Sequence, residues 1–571
     1  MRRGDHSLAK RIQFGDLFVE TGLLTPDKLQ EVLALQNSTG NKKQIAEILV
    51  ETGYLTDVQI QKVLESKYSI PFIDLYRTPV QTEMSRKVPD SMARRYTIVP
   101  VKISNNLLFV AMADPFDLQA IEDVETITKM SVIPLYAKEN AILHTIDVLY
   151  GNIRAEKAIE DFKKENNLID AAKEVQNFQE DSIGNAPIVR LVNSILEQAV
   201  NDGASDIHIE PMENEVRARQ RVDGSLAQIL TIPKKAHAAI ITRIKIIGNM
   251  NIAEKRIPQD GRCQLNIKGH ELDVRISTLP TMYGEKAVMR ILDRESFLKP
   301  KHVLGFSKDN LEKFDLLLKN PHGIILVTGP TGSGKTTTLY TMLSELNRES
   351  DNLITVEDPV EYIIKGLNQV QVNPKANLDF ASGLRSILRQ DPDIIMIGEI
   401  RDQETVEIAI RAAITGHLVL STIHTNSSAD TISRLLDMGV EPYMLSASLV
   451  GIIAQRLVRK ICPVCKREYI PDPEDVRAMG LPENDPAIKF YSGAGCSNCG
   501  NTGDKGRMAV HEVLMINGEV RNLISMEDPA NKIREYAKKN NIKTIKEECI
   551  RLLLEGTISL KEAISVAYSQ D

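Results

Sequence analysis

Short apolar runs alternate with helical stretches from about Lys301 onward: Gly323-Ile-Ile-Leu-Val-Thr328, Leu353-Ile-Thr-Val-Glu357, Asp393-Ile-Ile-Met-Ile-Gly-Glu399 and Gly416-His-Leu-Val-Leu-Ser-Thr422. Strand–helix alternation of this kind predicts a parallel sheet with right-handed crossovers. Between Ala186 and about Arg294 the pattern changes to helix plus short alternating strands, as in Glu215-Val-Arg-Ala-Arg-Gln-Arg-Val-Asp223-Gly. The stretch from about 152 to 184 is charged and poor in large apolar residues, which predicts a partly helical linker. Near the N-terminus, Gly15-Asp-Leu-Phe-Val-Glu-Thr-Gly22-Leu-Leu-Thr25 returns 31 residues later as Ala46-Glu-Ile-Leu-Val-Glu-Thr-Gly53-Tyr-Leu-Thr56. Each copy runs into an amphipathic helix, carrying Leu29, Val32 and Leu33 or Ile60, Val63 and Leu64, so two stacked helical hairpins are expected. Thr25 with Lys28 and Thr56 with Gln59 fall at N-cap and N3, and only the second pair has capping-box chemistry. Strand-like Ile98–Ile103 and Leu107–Ala111 follow, then helix to about Tyr150. The expected organisation is 1–150 as an N-terminal domain with the tandem helical repeat, 151–185 as linker, 186–298 as an α+β domain, and 299–571 as the main α/β domain with a cysteine-bearing subdomain at 460–510.

At 571 residues the chain is long enough for roughly three to four domains. Its 42% apolar and 26% charged residues are ordinary for a globular protein, and a net charge of −7 gives no general pull toward nucleic acid or anionic lipid. No run of about 18 apolar residues is present, and the basic start lacks the apolar core of a signal peptide, so a cytoplasmic location is expected. Four of the six cysteines form two tight pairs, Cys462/Cys465 and Cys496/Cys499. Cys-x₂-Cys, 30 intervening residues and Cys-x₂-Cys supply four thiolates for tetrahedral Zn²⁺ with no open ligand position, which predicts a structural role. Cys263 and Cys549 stand alone and are expected to be small buried hydrophobes.

The strand Gly323–Thr328 feeds Gly329-Pro330-Thr331-Gly332-Ser333-Gly334-Lys335-Thr336-Thr337, and a helix follows. Strand, glycine-rich turn and helix in that order form a phosphate-binding P-loop. Its glycines let successive N–H groups turn inward, and the helix N-terminus adds partial positive charge. Lys335 is expected to reach the β/γ-phosphates of ATP and the Thr336 hydroxyl to ligate Mg²⁺. Ligands gather at the C-terminal edge of a parallel sheet. Glu399 is therefore expected beside the P-loop, acting on the metal or its water, and Glu361 is a candidate to orient or deprotonate the attacking water. The run Gly416–Thr425 is expected to bring His417 and His424 to the same edge, where an imidazole can either report the γ-phosphate or hold the loop through a structural hydrogen bond.

With those motifs, the chain from about Ala186 to its end resembles the secretion ATPase superfamily. The blocks GPTGSGKTTTLY, ITVEDPVEY, LRSILRQDPDIIMIGEIRD and TGHLVLSTIHTN match its nucleotide-binding core, and SDIHIEP, RQRVDG, PQDGR and VRISTLP match its preceding domain. The resemblance implies a RecA-like P-loop core preceded by a PAS-like α+β domain and a helical/α+β N-terminal domain, with a tetracysteine zinc insertion. The CPVC…CSNCG insertion is similar to that of the assembly branch, and DMGVEP with SLVGIIAQRLVRKIC looks more like the type II secretion ATPases than the type IV pilus extension ATPases. It further implies a homo-hexamer, recruited to the inner membrane by platform proteins, with ATP bound between the preceding domain and the core. Arg217, Arg219 and Arg221 are then the arginines expected at the nucleotide, with Arg256, Arg262 and Arg275 behind them; Arg385 and Arg389 are expected at the subunit interface.

The N-terminal repeat resembles the front domain of these ATPases, where some relatives carry a tandem Arg-Leu-Gly motif that binds cyclic di-GMP. Here Gln13 and Phe14 precede Gly15, and Gln44, Ile45 and Ala46 stand where Arg, Leu and Gly are expected. Losing an arginine removes a bidentate guanine or phosphate contact, so docking to a membrane platform is the main expectation. A nucleic-acid motor is disfavoured by the net charge, by the absence of Trp and by an aromatic content of 5%. A non-catalytic scaffold would require decayed motifs, and Lys335, Thr336, Glu361 and Glu399 are all in place.

Overall fold

The computed structural model describes residues 14–38, 45–169, 187–267, 269–293, 298–482, 485–526 and 528–568. They divide into two compact units, one drawn mainly from the chain up to Ile291 and the other mainly from Leu292 onward.

In the first unit the tandem repeat folds as two helical hairpins, Asp16–Glu20 with Pro26–Ser38 and Ile45–Glu51 with Asp57–Tyr68. Their apolar stripes merge in one core that includes Leu17, Phe18, Val32, Leu49, Ile60 and Leu64. The capping box forms at Thr56: its backbone N–H donates to the Gln59 side chain at 2.8 Å and its hydroxyl accepts from the Gln59 N–H. Thr25 makes only the hydroxyl half of that arrangement, with the Lys28 N–H at 3.5 Å. Strands Ile98–Ser104, Leu107–Met112 and Ser131–Tyr136 form a small sheet.

The helix beginning at Glu139 continues to Ile169, well inside the stretch expected to be linker. Ala155, Ala158 and Ile159 recur at helical spacing and are buried, and Asp161 pairs with Arg190 of helix Pro187–Asn201 at 3.0 Å. This apolar stripe, hidden among charged residues, is why the segment is structured. Residues 170–186, which include the rest of the expected linker, lie outside the described residues, as do Gln13 and Gln44 of the repeat. A six-stranded sheet follows, ordered Ser225–Pro233, Glu215–Val222, Asp206–Pro211, Gly284–Asp293, His270–Thr281, Gln259–Ile267. Cys263, expected to be buried, is only half-buried on the last of these strands, where every second residue faces solvent; burial on its other side pushes its thiol up to about 11.

The second unit is built on a seven-stranded sheet in the order Asn368–Gln371, Leu353–Glu357, Ile394–Ile397, Leu418–Ile423, Gly323–Thr328, Leu449–Ile461, Asp504–Met515. Six strands run parallel, and the last pairs antiparallel with its neighbour. The central strands Gly323–Thr328 and Leu418–Ile423 are buried along their whole length, because helices cover both faces. Phe380–Ile387, Gln403–Ile414 and Ser428–Asp437 pack on one side, and Lys308–Leu318 with Lys335–Leu346 on the other. The two longest strands, Leu449–Ile461 and Asp504–Met515, lead to the hairpin Lys466–Tyr469/Phe490–Gly493 and its cysteines. Among the described residues, no helix is long and apolar enough to cross a membrane.

Candidate nucleotide site and tetracysteine cluster

Parallel strands place every following loop on one edge, and the P-loop leaves the centre of it. Gly329, Gly332 and Gly334 have φ of 146°, 78° and 88°. A Cβ on Gly329 would lie 2.3 Å from the Gln455 carbonyl oxygen, so only glycine fits there. The turn opens helix Lys335–Leu346, whose first N–H groups have no side-chain cap. Pro330, Thr331, Gly332 and Thr336 face solvent, Thr337 is half-buried, and Ser333 is buried. The Ser333 Oγ has no hydrogen-bond partner among the described residues. Glycine cradle, free helix N-terminus and orphan hydroxyl together fit a polyphosphate. Lys335 Nζ donates to the carbonyls of Gly329 at 2.8 Å and Pro330 at 3.0 Å. Burial pushes its pKa down to about 8, against the attraction of the nearby Glu399 carboxylate.

Glu399 follows strand Ile394–Ile397 onto the same edge. Its two oxygens face Arg401 and His424, the latter with Nε2 at 3.2 Å. His424 follows strand Leu418–Ile423, and the adjacent Thr425 N–H donates to the Thr328 hydroxyl at 3.0 Å, tying that loop to the P-loop strand. Glu361 lies half-buried in the loop after Leu353–Glu357, where its N–H donates to the Tyr340 phenol oxygen at 3.1 Å. That phenol in turn donates to Glu357 at 2.6 Å, and Glu357 also accepts from Thr355 at 2.6 Å and Gln369 at 3.0 Å. Glu357 is thus consumed internally, which anchors the loop carrying Glu361 to the P-loop helix.

His417 corrects the expectation of a shared edge. Leu418 pairs with Gly323, the start of the P-loop strand, whereas Ile423 pairs with its end, Thr328. Six strand residues rise about 20 Å, so His417 and His424 stand at opposite ends of the sheet. His417 Nδ1 lies 2.8 Å from the Ala412 carbonyl oxygen, closing the end of helix Gln403–Ile414.

The arginines of the first unit are engaged with local acceptors. Arg219 grips buried Glu210 at 2.8 and 2.9 Å; Arg221 faces Asp206 at 3.9 Å and donates to the Gly224 carbonyl at 2.8 Å. Arg217 pairs with Glu215 at 2.7 Å, Arg256 with Glu254 at 2.7 Å, and Arg262 with Asp273. Arg275 lies on strand His270–Thr281. In the second unit Arg385 pairs with Glu404, and Arg389 donates to the Arg385 carbonyl at 3.0 Å.

Cys462, Cys465, Cys496 and Cys499 are all buried and unbridged, and their Sγ atoms lie within 4.8 Å of one another. Cys465 and Cys499 are 3.9 Å apart; tetrahedral Zn–S bonds of 2.3 Å require about 3.8 Å. The Gly503 N–H donates to the Cys499 Sγ at 3.3 Å, as an outer-shell group stabilising a thiolate would. The donor set fits zinc.

Three participants escaped the sequence reading: Arg401, the Tyr340–Glu357 pair, and Gln455, whose side chain reaches the P-loop from another strand. The only signal for Gln455 is a polar residue that, with Arg456, interrupts the apolar strand Leu449–Ile461.

Sheet, cradle and acidic edge define a P-loop ATPase of the RecA-like class. The family described as type II/IV secretion system protein matches residues 181–565, and the MshEN domain matches residues 68–156. The chain belongs to the type II/IV secretion system protein family. It is 43% identical over 501 residues to the type IV pilus assembly ATPase PilB of Thermus thermophilus, covering 87% of this chain but only 56% of that protein. With the type II secretion system ATPase E of Vibrio cholerae it shares 39% identity over 498 residues, covering 86% of this chain and 98% of the relative. The structure of the Legionella pneumophila ATPase DotB has the same fold at 21% identity, with a TM-score of 0.50 over 66% of this chain and 95% of that one.

Proposed function

We propose that this chain is a cytoplasmic, hexameric ATPase that drives pseudopilus assembly and protein export in type II secretion, recruited to the inner membrane by platform proteins. The observation that carries the reading is the P-loop cradle with Lys335 on the edge that also holds Glu399 and His424. Gly329 to Thr337 hold the phosphates through backbone N–H groups, and Lys335 leaves its two carbonyls for the β/γ-phosphates. Thr336 and Glu399 are the residues for the Mg²⁺ that accompanies ATP, whose contribution is to neutralise phosphate charge. Glu361 orients the attacking water, and His424, already against Glu399, senses the γ-phosphate. Arg219 and Arg221 are the arginines that supply charge stabilisation to the transferring phosphoryl group. Zinc on the four cysteines holds the 460–510 subdomain. The domain limits 1–150, 186–298 and 299–571 separate docking, arginine supply and hydrolysis.

Docking is favoured over cyclic di-GMP for the N-terminal module. Among the described residues, a cleft of about 250 Å³ beside the second repeat is lined by Glu47, Glu51, Asp57 and Glu139 with Lys138 as the one cation, a balance that opposes phosphates. Pilus extension is the second reading, supported by the pilus assembly relative at 43% identity.

The test is ATP turnover by the purified protein and by Lys335→Ala, followed by a deletion strain scored separately for protein export and surface pili. Turnover lost in the variant and export lost with pili intact support the proposal. Pili lost with export intact selects pilus extension, and turnover unchanged in Lys335→Ala removes the site.

A further inference from the structure

Strand Leu449–Ile461 runs beside the P-loop strand, with Ala454 paired to Thr328, so the next residue, Gln455, lies level with Gly329. Gln455 is buried, and both the nitrogen and the oxygen of its side-chain amide are bonded to the P-loop or the helix that follows it. Its Nε2 donates to the Ser333 carbonyl at 2.8 Å, and its Oε1 accepts from the Thr338 hydroxyl at 2.7 Å. A carbonyl can only accept, which fixes the orientation of the amide. The Gln455 backbone oxygen is the atom a Cβ on Gly329 would meet at 2.3 Å, and its Nε2 is the one a Cβ on Gly334 would meet at 2.9 Å.

In a trans peptide the C=O and the following N–H point in opposite directions. Holding the Ser333 carbonyl back onto Gln455 therefore turns the Gly334 N–H away from Gln455. The bond to Thr338 fixes the same amide to the first turn of helix Lys335–Leu346. On the opposite face of the strand, the next residue, Arg456, donates to Asn426 at 3.1 Å, two residues beyond His424. Adjacent residues of one strand thus hold the P-loop and the loop carrying His424.

We propose that Gln455 is a positioning residue for the nucleotide: it keeps the Ser333–Gly334 peptide turned so that the cradle is formed before phosphate arrives. It touches no substrate atom and acts through the P-loop backbone. The inference rests on the ATPase reading.

The test measures the affinity of the full-length protein for a fluorescent ADP, with KM and kcat for ATP, in wild type, Lys335→Ala, Gln455→Glu, Gln455→Leu and Thr338→Val. Gln455→Glu keeps the shape but sets an acceptor against the Ser333 carbonyl, and Gln455→Leu leaves that carbonyl without its donor. Unsatisfied buried groups of this kind weaken ADP binding by about 5- to 150-fold. KM rises by the same factor while kcat stays within about threefold, since an interaction shared by ground and transition states is the one lost. Thr338→Val costs about 2- to 10-fold alone and less on the Gln455→Leu background, because the two share one network. Should Gln455→Leu fail to fold, the isosteric Gln455→Glu and Thr338→Val carry the test. Wild-type affinity and KM in folded Gln455 variants, or a fall confined to kcat, overturns the proposal while Lys335→Ala still loses binding. A wild-type protein that binds no nucleotide overturns both this inference and the ATPase reading.

Discussion

One strand, Leu418–Ile423, has a histidine just before it and another just after it, and the two ends do different work. At the His417 end the imidazole meets a backbone carbonyl of helix Gln403–Ile414, at 2.8 Å. At the His424 end it meets a carboxylate at 3.2 Å, and that carboxylate bears electrostatically on Lys335. The difference comes from the direction of the strands. All parallel strands deliver their following loops, and the N-termini of their helices, to one edge. That edge therefore collects anion-binding N–H groups and the groups that work on anions, while the other edge only closes helices.

Several perturbations sharpen or break this contrast. The largest acts on neither end: if the four cysteines hold zinc as proposed, its removal is expected to cost about 10 kcal/mol of local folding energy at neutral pH. Elemental analysis should give one zinc per chain, and chelation should expose the segment after Ile461 to protease. Metal-free protein that is equally resistant would count against the site. Next comes Lys335→Ala, expected to lower ATP turnover at least about 10³-fold, comparable to losing a charge-stabilising arginine; steady-state assays read it directly.

A smaller effect follows from burial of the same lysine. Its pKa in the nucleotide-free protein is lowered to about 8. Below that pH the lysine is already charged, and affinity for nucleotide should be flat. Above it, binding must take up a proton, and affinity should fall by up to about tenfold per pH unit. Titration of binding from pH 6.5 to about 9.5 with a Lys335→Arg control, which stays charged throughout, tests the sign. The smallest effects separate the two histidines. His424→Ala should reduce turnover about tenfold or more, as expected of a group acting on the reacting centre. His417→Ala should leave turnover unchanged and lower stability by about 1 kcal/mol, the worth of one hydrogen bond. Equal kinetic effects would erase the contrast.

Legibility followed the range of the interactions. The P-loop could be read because strand, glycines, Lys335 and helix are contiguous, and its shape depends on local backbone angles. Glu399 could be read as a residue just past an apolar strand. The capping box at Thr56 was equally local. His417 was misplaced because the run Gly416–Thr425 shows a strand but not, without counting residues before and after it, which edge each end reaches. Gln455 is not legible because its bond to Ser333 spans 122 residues of sequence, and an amide beside Arg456 in a strand does not announce its partner. The helix through Ala155, Ala158 and Ile159 falls in a stretch that reads as partly helical linker, and its extent is not legible because small apolar residues carry little signal among many charges.

The central claim is that the edge bearing Glu399 hydrolyses ATP rather than merely holding it. Glu399→Gln keeps the size of the side chain and removes its charge, so the direct measurement is ATP affinity alongside single-turnover hydrolysis in this variant. Affinity within about threefold of wild type with hydrolysis slowed at least about 100-fold is the predicted result. Hydrolysis at the wild-type rate, with affinity equally unchanged, would contradict it.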